Sequence, residues 1–302
     1  MSALAAVTHT GVLTARQLRA FRRMPVFLAM NVVQPRICLL LFGQLFKSVV
    51  DIPGFGGGTD YLVFLTQGIV MMMALFGSAW AGTSYIQEMD RGVMDRFLAS
   101  PTSRGAMIVA TVLYQAVLTV LQTLVVLGVA WLAGARFDGG WRGIAVLLLA
   151  AVLLTFVFAA FSNGMALLAK AQTALIAISQ IIAFPLMFLS SAIMDTALSP
   201  AWVGGVARFN PFEWAVVAGR GAMQAAPDWG TVWGQLGILA ALAVAMTWLA
   251  ARAFRIYQWA LQPGACGLPG APRCPAVRNR CPDRCPAAAD MWTGSVFAAV
   301  NM

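Results

Sequence analysis

The residues best suited to covalent or metal chemistry in this 302-residue chain are one histidine, five cysteines and two lysines. An intramembrane hydrolase needs a nucleophile with a base, or a metal cluster. His9 lies near the start of the chain, and neither an HExxH pattern nor a pair of aspartates within an apolar run occurs. A nucleotide-binding loop needs Gly-Lys-Ser/Thr opening a helix. The GFGGG run at 54–58 has no such lysine: Lys47 follows Phe46, and Lys170 follows Ala169. The chain therefore carries no Walker A motif, and any ATP it uses is expected to be hydrolysed by another subunit. Cys266, Cys274, Cys281 and Cys285 lack a paired CxxC spacing and a nearby histidine, so no metal site is expected.

The densest charge lies in Ser84 to Arg104, SYIQEMDRGVMDRFLASPTSR, which holds six charged residues between two uncharged apolar runs. Ile86, Met89, Val93 and Phe97 recur at helical spacing, leaving Glu88, Asp90, Arg91, Asp95 and Arg96 elsewhere. The pattern predicts a short amphipathic helix at a membrane surface, ended by Ser100-Pro101. Held between two spans, it is a handle on which a soluble partner could push.

These side chains must be positioned by apolar elements, since 60% of residues are hydrophobic and only 10% charged, against about 25% charged in soluble domains. The composition predicts an all-α polytopic membrane protein. The net charge of +9 is scattered over loops without an aromatic-interleaved basic groove, so no nucleic-acid partner is expected.

Residues 12–24 place Leu13, Leu18, Phe21 and Met24 opposite Arg16, Arg19, Arg22 and Arg23. This reads as an N-terminal amphipathic interface helix, either a positive-inside anchor or a docking surface for a partner. No cleavable signal precedes the first apolar run, and the N-terminus is expected on the cytoplasmic side. Six spans are predicted, at about 25–46, 61–83, 105–132, 143–168, 172–194 and 229–251. Asp195 to Gly230 is too apolar for a solvated loop and too interrupted by Pro200, Pro211 and Pro227 for a span. It reads as short re-entrant or interfacial half-helices at the extracellular surface before the last span. Through residue 255 the cytoplasmic segments hold ten lysines and arginines and the external ones five. That bias puts both termini in the cytoplasm. The expected organisation is a cytoplasmic N-terminus over 1–24, a transmembrane domain over 25–255 and a tail over 256–302 of disordered composition.

Within the spans the polar candidates for a transport path are Gln34, Arg36, Gln67 and Asn163. At membrane depth an arginine costs about 3 kcal/mol or more unless paired, hydrated or turned inward. Arg36 either faces a water-filled path, snorkels, or bonds a carbonyl freed near Pro35. Met71, Met72 and Met73 read as packing. No predicted span contains Asp, Glu or His, which counts against ion-coupled secondary transport.

Three segments in this order resemble the membrane subunits of ABC-2 type exporters, especially the daunorubicin/doxorubicin-resistance permease group. They are QPRICLLLFGQLF (34–46), EMDRGVMDRFLASPTSR (88–104) and ARFNPFEWAVVAGRGAM (207–223). The resemblance implies a permease subunit of a drug or lipid exporter in the plasma (inner) membrane. It would be paired with a second permease, identical or not, and with two ATP-binding subunits that hold the ATP and Mg. This chain itself would need no cofactor. On this resemblance Arg16, Arg19 and Arg23 of the interface helix and Glu88, Gly92 and Arg96 of the coupling helix contact the ATPase, while Asn210, Pro211 and Trp214 gate the outer mouth. Arg36 and the terminal tail depart from the family pattern. The rival readings are a non-transporting membrane scaffold that docks a cytoplasmic partner, and an exporter of a lipid-linked glycan.

Overall fold

A computed structural model of the protein describes residues 3–23, 33, 37, 41, 61–90, 104–137, 139–169, 171–192, 201–224 and 226–261. The chain divides into two units, Met1–Ala260 and Leu261–Met302, and the described residues lie in the first apart from Leu261. Every described element is a helix. In chain order they are α1 (Ala3–Arg22), α2 (Tyr61–Ala79), α3 (Thr83–Asp90), α4 (Arg104–Leu132) and α5 (Gly140–Ala169). They are followed by α6 (Gln172–Phe188), α7 (Ala201–Ala207), α8 (Pro211–Met223) and α9 (Trp229–Leu261).

Four stretches are long and apolar enough to cross a membrane: Leu62–Gln87, Ile108–Leu132, Gly140–Ala166 and Trp229–Arg252. Hydrocarbon offers no hydrogen bonds, so a spanning backbone must satisfy itself as a helix. The protein is thus a multi-pass membrane protein, and all four stretches overlap spans read from the sequence. The predicted first span falls outside the described residues except for Val33, Ile37 and Leu41, which are helical, exposed and spaced by four.

α5 is the central helix, packing on α2, α4 and α8 and also touching α3 and α6. Two buried clusters mark its two ends. One gathers Val70, Leu75, Leu147, Leu154, Phe212 and Leu239 around α8. The other gathers Tyr85, Ile86, Ile108, Val112, Leu175 and Ala250 around α3. α4 stops at a glycine cap: Gly134 has φ +102° and the Ala135 amide donates to the Ala130 carbonyl at 3.0 Å. A left-handed residue there closes the last turn at no steric cost.

Several boundaries differ from those the sequence predicts. α1 begins at Ala3, nine residues before the expected start, because the Ala3–Thr10 stretch continues the helix. The second apolar run is broken at 80–82 and resumes as α3 at Thr83. α6 ends at Phe188 rather than near 194 and carries Pro185 inside it. Its 17 residues cover about 26 Å, less than a hydrocarbon core of about 30 Å. α9 runs on to Leu261, beyond Arg255. In the 195–230 stretch two short helices form, and α8 packs against α5 and α2.

Candidate functional site

Two polar centres stand out, one at each end of α5. The first joins α1, α3 and α4. α1 lays Thr10, Leu13, Thr14 and Gln17 along α4, and these recur at three- and four-residue spacing on one face. Thr14 Oγ1 donates to the Ala110 carbonyl at 3.3 Å, and Gln17 Nε2 donates to Thr111 Oγ1 at 3.4 Å. Thr111 Oγ1 donates in turn to the Tyr85 hydroxyl of α3 at 3.2 Å. A side-chain chain therefore runs from the N-terminal helix through α4 to α3. Arg16 and Arg19 are exposed on the opposite side of α1, and Arg23, in the turn just after it, is exposed as well.

α3 is held from behind as well. The break at 80–82 frees backbone groups that α5 and α6 take up. Ser162 Oγ donates to the Ala79 carbonyl at 2.6 Å and accepts from the Gly82 amide at 3.0 Å. Ser179 Oγ donates to the same Ala79 carbonyl at 3.0 Å. A Cβ on Gly82 would sit 2.4 Å from the Ser162 carbonyl oxygen, so only glycine allows this approach. Ile86, expected on the lipid-facing side of a surface helix, is 1% exposed and packed among Ile108, Val112 and Leu175. The start of the charged segment is thus bound into the protein rather than laid on the bilayer. Glu88 lies in α3 with its side chain outside the described residues, and Gly92 and Arg96 lie outside them altogether.

The second centre lies where α6 meets α8. α6 ends short of a full span, and its last carbonyls would be costly if left bare at that depth. Asn210 Nδ2 donates to the carbonyls of Leu186 (2.7 Å) and Leu189 (3.2 Å), while its Oδ1 accepts from the Phe212 amide at 2.9 Å and so caps α8. Pro211 follows at the first helical position, where no backbone donor is needed. Trp214 Nε1 donates to the Arg208 carbonyl at 2.8 Å, closing the turn that leads into α8. The three predicted gate residues are therefore brought together.

Sequence reading missed two residues here. Glu213 is 8% exposed, and its Oε2 accepts from both the amide (2.6 Å) and the hydroxyl (3.0 Å) of Ser191. Arg220, two turns on along the same face of α8, donates from Nη1 to the Ser191 carbonyl (2.6 Å) and from Nη2 to the Ala192 carbonyl (2.9 Å). Its guanidinium carbon lies 3.7 Å from the centre of the Phe64 ring of α2. The seven-residue spacing was the one signal in the sequence, since it puts both charges on one face of an otherwise apolar helix.

Gln67 and Asn163 are not brought together: Gln67 adjoins Gly68 beside Ala192, whereas Asn163 adjoins Ser162 at the opposite end of α5. Asn163 is 1% exposed, and neither side-chain polar atom has a hydrogen-bond partner among the described residues. Gln34 and Arg36 lie outside the described residues, as do the four C-terminal cysteines.

The described helices form an apolar, membrane-spanning bundle in which α1, with its exposed arginines, is hydrogen-bonded through α4 to the segment that leads into the densest charge of the chain. Residues 8–223 match the ABC-2 type transporter family, and the chain belongs to it. It is a transport subunit without an ATPase domain or a cofactor of its own, of a kind that pairs with an ATP-binding subunit. Among similar proteins, the daunorubicin resistance ABC transporter permease protein DrrB1 of Streptomyces coeruleorubidus is 28% identical over 80% of this chain and 83% of its own length. A protein named "putative transport permease ycf38" in Cyanophora paradoxa is 27% identical over 68% of this chain and 70% of its own length. A protein named "probable doxorubicin resistance ABC transporter permease protein DrrC" in Mycobacterium tuberculosis is 23% identical over 73% of this chain and 79% of its own.

Proposed function

We propose that the chain is the membrane half of an ATP-driven exporter that moves a hydrophobic or amphipathic, drug- or lipid-like substrate out of the cell. A second permease, identical or related, completes the pathway between the subunits. Two ATP-binding subunits, holding ATP and Mg, dock on the α1 and α3 end, which faces the cytoplasm along with both termini of six spans in the plasma (inner) membrane. Residues 1–24, 25–255 and 256–302 serve as docking segment, transport domain and tail.

The observation that carries this reading is the chain of hydrogen bonds Gln17–Thr111–Tyr85, with Ser162 and Ser179 behind it. It ties the helix bearing Arg16, Arg19 and Arg23 to the segment bearing Glu88, Gly92 and Arg96, and both to α4, α5 and α6. ATP-driven closure of the docked subunits would push α1 and α3 together, and the push would reach α4, α5 and α6 at once. The work is done only if ATP favours the outward-open arrangement over the inward one. The drug-like substrate class draws support from the relatives named for daunorubicin and doxorubicin resistance.

The test is flux in inside-out vesicles holding the chain and its ATP-binding subunit, with daunorubicin as first probe and fluorescent phospholipid as second. ATP-dependent accumulation of either is expected; a complex that binds its subunit and hydrolyses ATP while moving neither points to a scaffold. Gly92→Leu with Glu88→Ala should leave membrane insertion intact and uncouple hydrolysis from export. Tyr85→Phe removes the hydrogen bond from Thr111, worth about 1 kcal/mol, so export per ATP should fall by about fivefold if that bond acts wholly in coupling.

A further inference from the structure

Three residues, Ser190 to Ala192, carry the chain out of α6, and α8 holds them by both kinds of backbone group. Glu213 takes the Ser191 amide and hydroxyl, and Arg220 takes the Ser191 and Ala192 carbonyls. Inside the turn, Ser190 Oγ donates to the Met187 carbonyl at 2.7 Å and accepts from the Ala192 amide at 3.3 Å. Below it α2 comes so close that a Cβ on Gly68 would lie 2.3 Å from the Ala192 carbonyl oxygen. A buried carboxylate and a half-buried guanidinium each carry a desolvation cost, and a generic apolar contact would hold two helices together at lower cost. What these two side chains add is direction: the Glu213 oxygen accepts from the Ser191 amide and hydroxyl, and the planar guanidinium fork reaches two carbonyls at a fixed spacing.

We propose that Glu213 and Arg220 are positioning residues that lock the C-terminal turn of α6 to α8, so that the two helices travel as one rigid body through the transport cycle. Asn210 supplies the third point of attachment, on the carbonyls of Leu186 and Leu189. The lock rests on the exporter reading for what drives the cycle, but its grip is a property of the resting chain and is measurable without transport.

The experiment places spin labels at Ile181 on α6 and Phe209 beside α8, both exposed, in a chain with its five cysteines replaced and its ATP-binding subunit bound. Their separation is read by pulsed electron resonance, without nucleotide and with ATP trapped. One narrow separation is expected in both states of the parent. Glu213→Leu and Arg220→Met should each lose it, and Arg220→Lys, a single charged point in place of a fork, should broaden it. Glu213→Gln, whose amide oxygen still accepts from Ser191, should keep it, which a mere requirement for charge would not predict. A parent separation that shifts on ATP binding overturns the lock, as does a parental distribution in both Glu213→Leu and Arg220→Met. If those two variants do not fold, the parent in its two states decides together with Glu213→Gln and Arg220→Lys: the lock stands on a constant parent separation that lysine broadens and glutamine keeps, and falls otherwise. Absence of ATP-driven flux with the narrow separation intact would fail the exporter reading and leave the lock standing; flux with a shifting separation would do the reverse.

Discussion

Gly68 and Gly82 show how much depends on a missing side chain. Each faces a backbone carbonyl at a distance no Cβ can occupy, 2.3 Å from Ala192 O and 2.4 Å from Ser162 O. Gly68→Ala must move α2 away from the 190–192 turn, which should cost about 1–3 kcal/mol, the usual penalty of overpacking. Gly128→Ala is the control, because no described residue lies within 4 Å of a Cβ at that position on α4 and alanine favours a helix by about 1 kcal/mol. Thermal unfolding of the purified chain in detergent should show the first variant melting lower and the second no lower than the parent. At this scale the sequence was only partly readable. Asn210-Pro211 is a helix start that its residue types announce. Glu213 and Arg220 went unassigned because their partners are backbone atoms of Ser191 and Ala192, and a backbone atom leaves no signature in residue type.

Among the elements, the long helices were plain from their apolar runs, since a span of about 20 apolar residues can do little else in lipid. Interruptions were harder. The break at 80–82 depends on Ser162 and Ser179, 83 and 100 residues from the carbonyl they share, and no local pattern around Trp80 announces it. Ser162→Ala strips a partner from two buried backbone groups and should destabilise by about 1–3 kcal/mol, with hydrogen exchange quickening at 80–86 before the rest of the bundle. The early end of α6 was masked in the same way, because the apolar composition continues past Phe188 while the turn is set by Glu213 and Arg220. α9 opens on Asp228, which accepts from the Thr231 hydroxyl (2.6 Å) and from the amides of Gly230 and Thr231 (3.1 and 3.5 Å). The Thr231 hydroxyl first, then those amides, hold this carboxyl below its ordinary value. A lowered carboxylate pKa contributes stability above the unfolded value and loses it as pH falls through the folded one. The first turn of α9 should therefore fray selectively in acid, seen as faster exchange at 230–231, and Asp228→Asn should flatten that dependence.

For the whole molecule, the charge pattern, the absence of an ATP-binding motif and the ordered family segments were enough to reach a permease subunit. They could not show how the ends of the bundle are knitted, which is a matter of contacts between residues far apart in the chain. Orientation is open to direct measurement. A cysteine at exposed Arg19 or Gln87 should react with an impermeant thiol reagent only after the cells are opened, and one at exposed Arg136 or Trp141 in intact cells; the opposite pattern would put the arginines of α1 beyond the reach of any cytoplasmic ATPase. The gap at 80–82 bears on how force would travel. An unbroken rod transmits thrust along its axis, whereas α2 and α3 meet at an elbow whose free backbone atoms are hooked to α5 and α6. A shove on α3 would arrive as torque about that elbow, felt by its neighbours at the same instant, and a small swing at one end would be enlarged along the length of α2 at the other.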